Sequence, residues 1–172
     1  KEYINQSDPI VSGVDLLNMT TAGIIEKLPI GNTDVSGVFT TSEQSMIINK
    51  EEVRDNPDLN KLLRDFEASN NNYNLSVRIK GEVSPVLENL EVDNISSFNL
   101  DQHIETGNVN AIIVADVDFM EDQFWVNVKE YFAEELLTPF ANNAAFVVNS
   151  LENLSDASTL ASLRARGVMD RP

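Results

Sequence analysis

Apolar and polar positions change period repeatedly along this 172-residue chain, and each period predicts an element. Tyr73, Leu75, Val77 and Ile79 alternate with Asn74, Ser76 and Arg78, which predicts a strand with one buried face. Ala111-Ile112-Ile113-Val114-Ala115 is a continuous apolar, β-branched run, the pattern of a buried strand. Val38-Phe39-Thr40-Thr41 and Met46-Ile47-Ile48 are strand-like on either side of a polar interruption, Ser42 to Ser45. Shorter apolar segments, Val14 to Leu17 and Ala22 to Leu28, read as strands or a strand and a turn. The turn-rich stretch Pro29 to Ser36 follows them.

Helical spacing predicts three further elements. Leu59, Leu62, Leu63 and Phe66 form one apolar stripe over Pro57 to Ala68, with Asn56 as N-cap and Pro57 at the first helical position. Phe124, Trp125, Val128, Tyr131 and Phe132 predict a helix over Glu121 to Leu137 that buries its aromatics and ends before Pro139. Phe140 to Leu154 predicts another, with Ala144, Ala145, Val148 and Leu151 on one side. Gly81 to Gly107 has no period and reads as a long connection; Leu160 to Gly167 fits a helical turn or a last strand. Strands and helices alternate, so the expected fold class is α/β, a layered domain over residues 1–172.

Composition narrows the functions. A hydrophobic fraction of 42% supports a folded core, whereas a net charge of −16 leaves no basic face for nucleic acid or anionic lipid. The chain has no cysteine, which excludes disulfides, thiolate metal sites and a cysteine nucleophile. No apolar run reaches the roughly 20 residues that cross a bilayer. A start at Lys1 without methionine and an abrupt stop at Pro172 suggest a piece of a longer protein.

Candidate chemistry centres on the end of the Ala111–Ala115 run. Asp116 and Asp118, with Glu121 and Asp122 close behind, are hard oxygen ligands that suit Ca²⁺ or Mg²⁺. The competing reading makes Asp118 the cap of the following helix, with Glu121 and Asp122 favouring its positive end. Asn142 and Asn143 follow Pro139-Phe140, where Asn142 caps the next helix or the pair binds a ligand or partner. Arg164, Arg166 and Arg171 are a basic cluster in an acidic chain, suited to pairing with Asp116, Asp118 or Glu121, or with a partner's carboxylates. His103, the sole histidine, reads as a solvated loop residue. Neither a nucleophile elbow nor a glycine-rich phosphate loop is present, so hydrolase triads and ATP hydrolysis are not expected.

Several words recur in one order over residues 108–172. They are Ile113-Val114-Ala115-Asp116-Val117-Asp118-Phe119, Asp122-Gln123-Phe124-Trp125, Asn142-Asn143, Phe146 to Leu154, and Leu163-Arg164-Ala165-Arg166-Gly167. This stretch resembles the auxiliary proteins of ABC transport systems of the gliding-motility (GldG) type. Asp15 to Asn18, Thr41 to Ser45 and Leu62 to Phe66 resemble the family more loosely. The resemblance implies a Rossmann-like layered domain with a mixed or mostly parallel sheet flanked by helices, similar to class I glutamine amidotransferases without their catalytic machinery. It also implies permease and ATPase partners, and a place on the periplasmic side of a bacterial inner membrane, anchored by transmembrane segments outside this sequence. The expected function is a non-catalytic binding or assembly platform without a resident cofactor. Two alternatives stay open: a metal-dependent glycan or nucleotide-sugar enzyme using Asp116 and Asp118, and a solute receptor for the permease.

Overall fold

The computed structural model describes residues 2–28, 33–54, 56–83, 106–131 and 134–155. Three strands form its main sheet: β1 (Asp34–Thr40), β2 (Asn74–Val83) and β3 (Gly107–Val114). β2 lies in the middle and pairs antiparallel with both neighbours. Val77 stands opposite Gly37 and Ile113, and Arg78 opposite Ser36 and Ile112, so the alternation of β2 carries through the sheet. β1 slips register on either side of Phe39. Gly37 sits at the first slip because a Cβ there would come within 2.6 Å of the Asn74 side-chain oxygen.

Between β1 and β2 the chain makes an excursion holding two short helices, α1 (Lys50–Val53) and α2 (Leu59–Arg64). After β3 come a tight turn and a 3-10 turn (Asp122–Phe124). The hairpin of β4 (Val126–Tyr131) and β5 (Glu134–Pro139) follows, and then helix α3 (Asn143–Leu154). An N-terminal 3-10 turn, Pro9–Val11, packs on α3; Asp8 starts it by accepting the Ile10 amide at 3.1 Å, with Pro9 in the first position.

The core forms where that turn, α3 and one sheet face meet. Ile10, Val11, Val14, Val38, Phe39, Phe119 and Phe146 are buried together. Phe146 sets its ring edge-on to Phe39 and Phe119, with centroids 5.3 and 5.8 Å away. Such pairs add about 0.5–1.5 kcal/mol to what burial alone contributes.

The layered α/β expectation, with a mixed or parallel Rossmann-like sheet, is overturned. Among the described residues every strand pair is antiparallel, in a three-stranded and a two-stranded sheet, and the helices are few and short. The decisive misreading is the helix expected over Glu121 to Leu137, which is a 3-10 turn followed by β4 and β5. Val126, Val128 and Glu130 alternate with Asn127, Lys129 and Tyr131, and β-branched and aromatic residues favour the extended chain. A helical stripe and a strand alternation share several positions here, and the strand wins. Removing that helix removes the helix layer that a parallel crossover needs.

Other elements shift less. α2 covers six residues; Asp58 rather than Asn56 caps it, accepting the Lys61 amide at 3.0 Å, while Asn56 has a positive φ of 134°. Met46 to Ile48, Val14 to Leu17 and Ala22 to Leu28 form no strand, although Ile25 makes one bridge to Asn74. β2 runs on to Val83 and β3 starts at Gly107, both inside the expected connection. Phe119, rather than Phe124 or Trp125, joins the buried core; those two are half-buried.

Candidate functional site

β3 delivers Asp116-Val117-Asp118 to the sheet end nearest the segment around Thr20. Asp116 is 8% exposed, and its carboxylate is committed. One oxygen accepts the Thr20 amide at 2.8 Å and the other the Asp118 amide at 2.9 Å, which closes a local turn. The Thr21 hydroxyl donates to Asp118 at 2.7 Å and lies 3.4 Å from Asp116. Asp118 does not cap a helix as expected, because a turn follows it; its carbonyl accepts the Glu121 amide at 2.9 Å. The turn aims Phe119 into the core.

The structure brings Asp116 and Asp118 together around Thr21 and leaves Asp122 apart, exposed at the start of its 3-10 turn. Among the described residues no three acidic or histidine side chains converge as cation ligands. Asp116 acts as a clamp between β3 and residues 20–21. Asp116→Ala strands the Thr20 and Asp118 amides, and the expected cost is about 2 kcal/mol by denaturant titration.

Asn142 and Asn143 turn out to be stitches. The Asn142 side-chain oxygen accepts the amides of Asp15 and Leu16, each at 3.1 Å, and its own amide donates to the Leu16 carbonyl at 2.7 Å. Asn142 does occupy the N-cap of α3, but its side chain makes no capping bond. Asn143 is fully buried and joins three chain segments. It accepts the Asn18 amide at 3.0 Å and donates to the carbonyls of Asn18 at 2.7 Å and Phe119 at 2.8 Å.

Further along α3 the pattern continues with residues that sequence reading passed over. Asn149 donates to the carbonyls of Ile10 and Ser12 at 3.1 and 2.9 Å. Asn153 meets Arg78, a β2 residue only 4% exposed, whose guanidinium also pairs with Asp8 at 2.8 Å and reaches Asn110 at 3.3 Å. The signal was present: Asn142, Asn149 and Asn153 lie seven and four residues apart, on one helix face. Asp8-Pro9 likewise carries the mark of a turn start.

α3 is therefore inverted relative to an ordinary surface helix. Its inward face carries asparagines around Phe146, while Ala145, Val148 and Leu151 are exposed. The hairpin is open too: every residue of β5 is exposed, and Val128 and Leu137, paired across it, are 51% and 58% exposed. On the excursion, Met46, Ile48, Leu59, Leu62, Leu63 and Phe66 line a groove of about 310 Å³. Arg164, Arg166, Arg171 and His103 lie outside the described residues.

Buried polar side chains are bonded inside this part of the fold, and several aliphatic ones form its exposed surface. The sequence places that surface in a transport system. Residues 1–150 match the family model described as ABC-type uncharacterized transport system, and the chain belongs to that family of ABC transport auxiliary proteins. Neither a curated protein nor a solved structure matches the chain. No helix among the described residues is long and apolar enough to cross a membrane.

Proposed function

We propose that this chain is a non-catalytic assembly platform, the extracytoplasmic part of an auxiliary subunit that binds the permease of its ABC transporter. One observation carries the reading: aliphatic side chains face outward on the excursion, the hairpin and α3, while the polar groups best suited to chemistry are bonded internally. Leu63, Leu151 and Leu137 are 77%, 62% and 58% exposed, whereas Asn143, Arg78 and Asp116 are no more than 8% exposed. Exposed aliphatics in patches mark protein–protein contact surfaces. The gliding-motility type of system is the one whose sequence words the chain resembles, and an acidic surface keeps such a domain away from anionic headgroups.

The test is purification of the tagged full-length protein from native membranes, crosslinked before extraction. The permease is expected to co-purify, with the ATPase held through it. Recovery of the auxiliary protein without any transporter subunit overturns the platform reading.

A further inference from the structure

Edge strands carry unpaired amides and carbonyls, and proteins blunt them with charge, proline, a bulge or a covering segment. β1 slips register and is covered on its outer side. There the Asn5 amide donates to the Val38 carbonyl at 2.8 Å and the Thr40 amide to the Tyr3 carbonyl at 2.9 Å. β4 carries Lys129 and Glu130, and β5 carries Glu134, Glu135 and Pro139. β3 has none of these devices. Its sequence, Gly107-Asn108-Val109-Asn110-Ala111-Ile112-Ile113-Val114, holds no charge and no proline in a chain of net −16. It pairs with β2 without a register slip.

The parity of the ladder decides which groups the open edge offers. The Ala115 amide donates to the Leu75 carbonyl at 2.9 Å, so Ile113, Ala111 and Val109 turn their backbone groups toward β2. Asn108, Asn110, Ile112 and Val114 turn theirs away from it. Among the described residues no backbone group meets that outer row.

The row is complementary to itself. Two copies of β3, laid antiparallel about a two-fold axis at Ala111, set Asn108 against Val114 and Asn110 against Ile112, twice over. This arrangement makes about eight hydrogen bonds. Ile112 and Val114 pack on the core, so Val109, Ala111 and Ile113 lie on the other face of the strand. On that face Ala111 meets Ala111, and Val109 of one copy meets Ile113 of the other, covering a side chain that is 42% exposed. No charged side chain of β3 lies on the seam, so the pairing sets no carboxylates against each other. A second copy thus supplies the matching hydrogen bonds and the matching aliphatic side chains together.

We infer that β3 is a homodimer edge, joining the three-stranded sheets of two copies into one continuous antiparallel sheet with Ala111 on the two-fold axis. The inference is independent of the platform reading, since the faces proposed to bind the permease lie elsewhere. A contact confined to one strand is small, so the expected dissociation constant is roughly 10–100 µM.

The chain has no cysteine, so single introduced thiols report the register. Ala111→Cys is expected to give a disulfide-linked dimer under mild oxidation with diamide, because residues facing each other in a non-hydrogen-bonded pair have Cα atoms about 4.5 Å apart. Ile113→Cys, although more exposed, should stay monomeric, its twin lying roughly 13 Å away. Mixed with Val109→Cys, it should link. Sedimentation equilibrium of the wild type should show monomer and dimer in exchange. Ile113→Lys puts a charge on the seam, and Asn108→Pro removes a donor that points away from β2. Both should keep the urea midpoint and weaken dimerisation at least about tenfold, the loss of a cross-strand contact or of an edge hydrogen bond in each copy. A wild type that stays monomeric up to about 1 mM, well above the range expected for so small a contact, overturns the inference. So does equal linking by Ala111→Cys and by Ile113→Cys alone, or unchanged dimerisation in whichever of the two seam variants keeps its urea midpoint.

Discussion

Asn143→Ala is expected to destabilise the domain by roughly 3–5 kcal/mol, the sum of broken hydrogen bonds and stranded partners in a dry site. Asn143 is fully buried and its amide group is bonded on both ends. Alanine leaves the Asn18 amide and carbonyl and the Phe119 carbonyl without that partner. A void also opens between α3 and the segments it gathers. Because Asn143 lies one turn before Phe146, the loosened helix start transmits to the aromatic core. Urea unfolding measures the loss, and Asn142→Ala, half-buried and nearer water, should lose less. A similar midpoint for Asn143→Ala and wild type would show that α3 is held by its apolar contacts alone.

Asp8→Ala is expected to cost about as much, roughly 3–5 kcal/mol, for an electrostatic reason. Asp8 and Arg78 have side chains 10% and 4% exposed, and their ion pair measures 2.8 Å. Removing the carboxylate leaves a guanidinium that cannot deprotonate, held by the neutral oxygens of Asn110 and Asn153. It also removes the cap of the Pro9–Val11 turn, since the same Asp8 oxygen accepts the Ile10 amide. Arg78→Met in the Asp8→Ala background should recover part of the loss, because the uncompensated charge disappears while the aliphatic stem is kept. A double variant less stable than Asp8→Ala would mean that Arg78 stabilises the site without its ion pair.

These two residues show what the sequence could and could not disclose. The strand alternation of Tyr73 to Ile79 and the apolar run of Ala111 to Ala115 gave β2 and β3, because a period of two is a local property. α3 was legible from its helical spacing for the same reason. The hairpin was not: Phe124, Val128 and Phe132 are spaced to satisfy both periods, and only the pairing of Val128 with Leu137 decides between them. That error supplied the longest helix of the expected alternation, while the parallel sheet came from the family resemblance and is overturned by the antiparallel pairing of β1, β2 and β3.

The site was legible in its residues but not in their partners. Asn142 and Asn143 stood out together, yet their bonds reach across 125 to 127 positions of chain, and Asp116 reaches across 96 to Thr20. No local pattern carries such distances. The resemblance to ABC transport auxiliary proteins is met by the match over residues 1–150, which ends before Leu163 to Gly167 and does not distinguish the gliding-motility type.

Inward polar groups and outward aliphatics together make the central claim that this domain is built to be covered. The most direct measurement introduces a photoreactive side chain at Leu63, Leu137 or Leu151 of the full-length protein in native membranes, with exposed Lys80 on β2 as control. The expected result is adducts with transporter subunits from at least one aliphatic position, strongest from Leu63, and none from Lys80. Absence of adducts from all three aliphatic positions, while the transporter is present and intact, contradicts it.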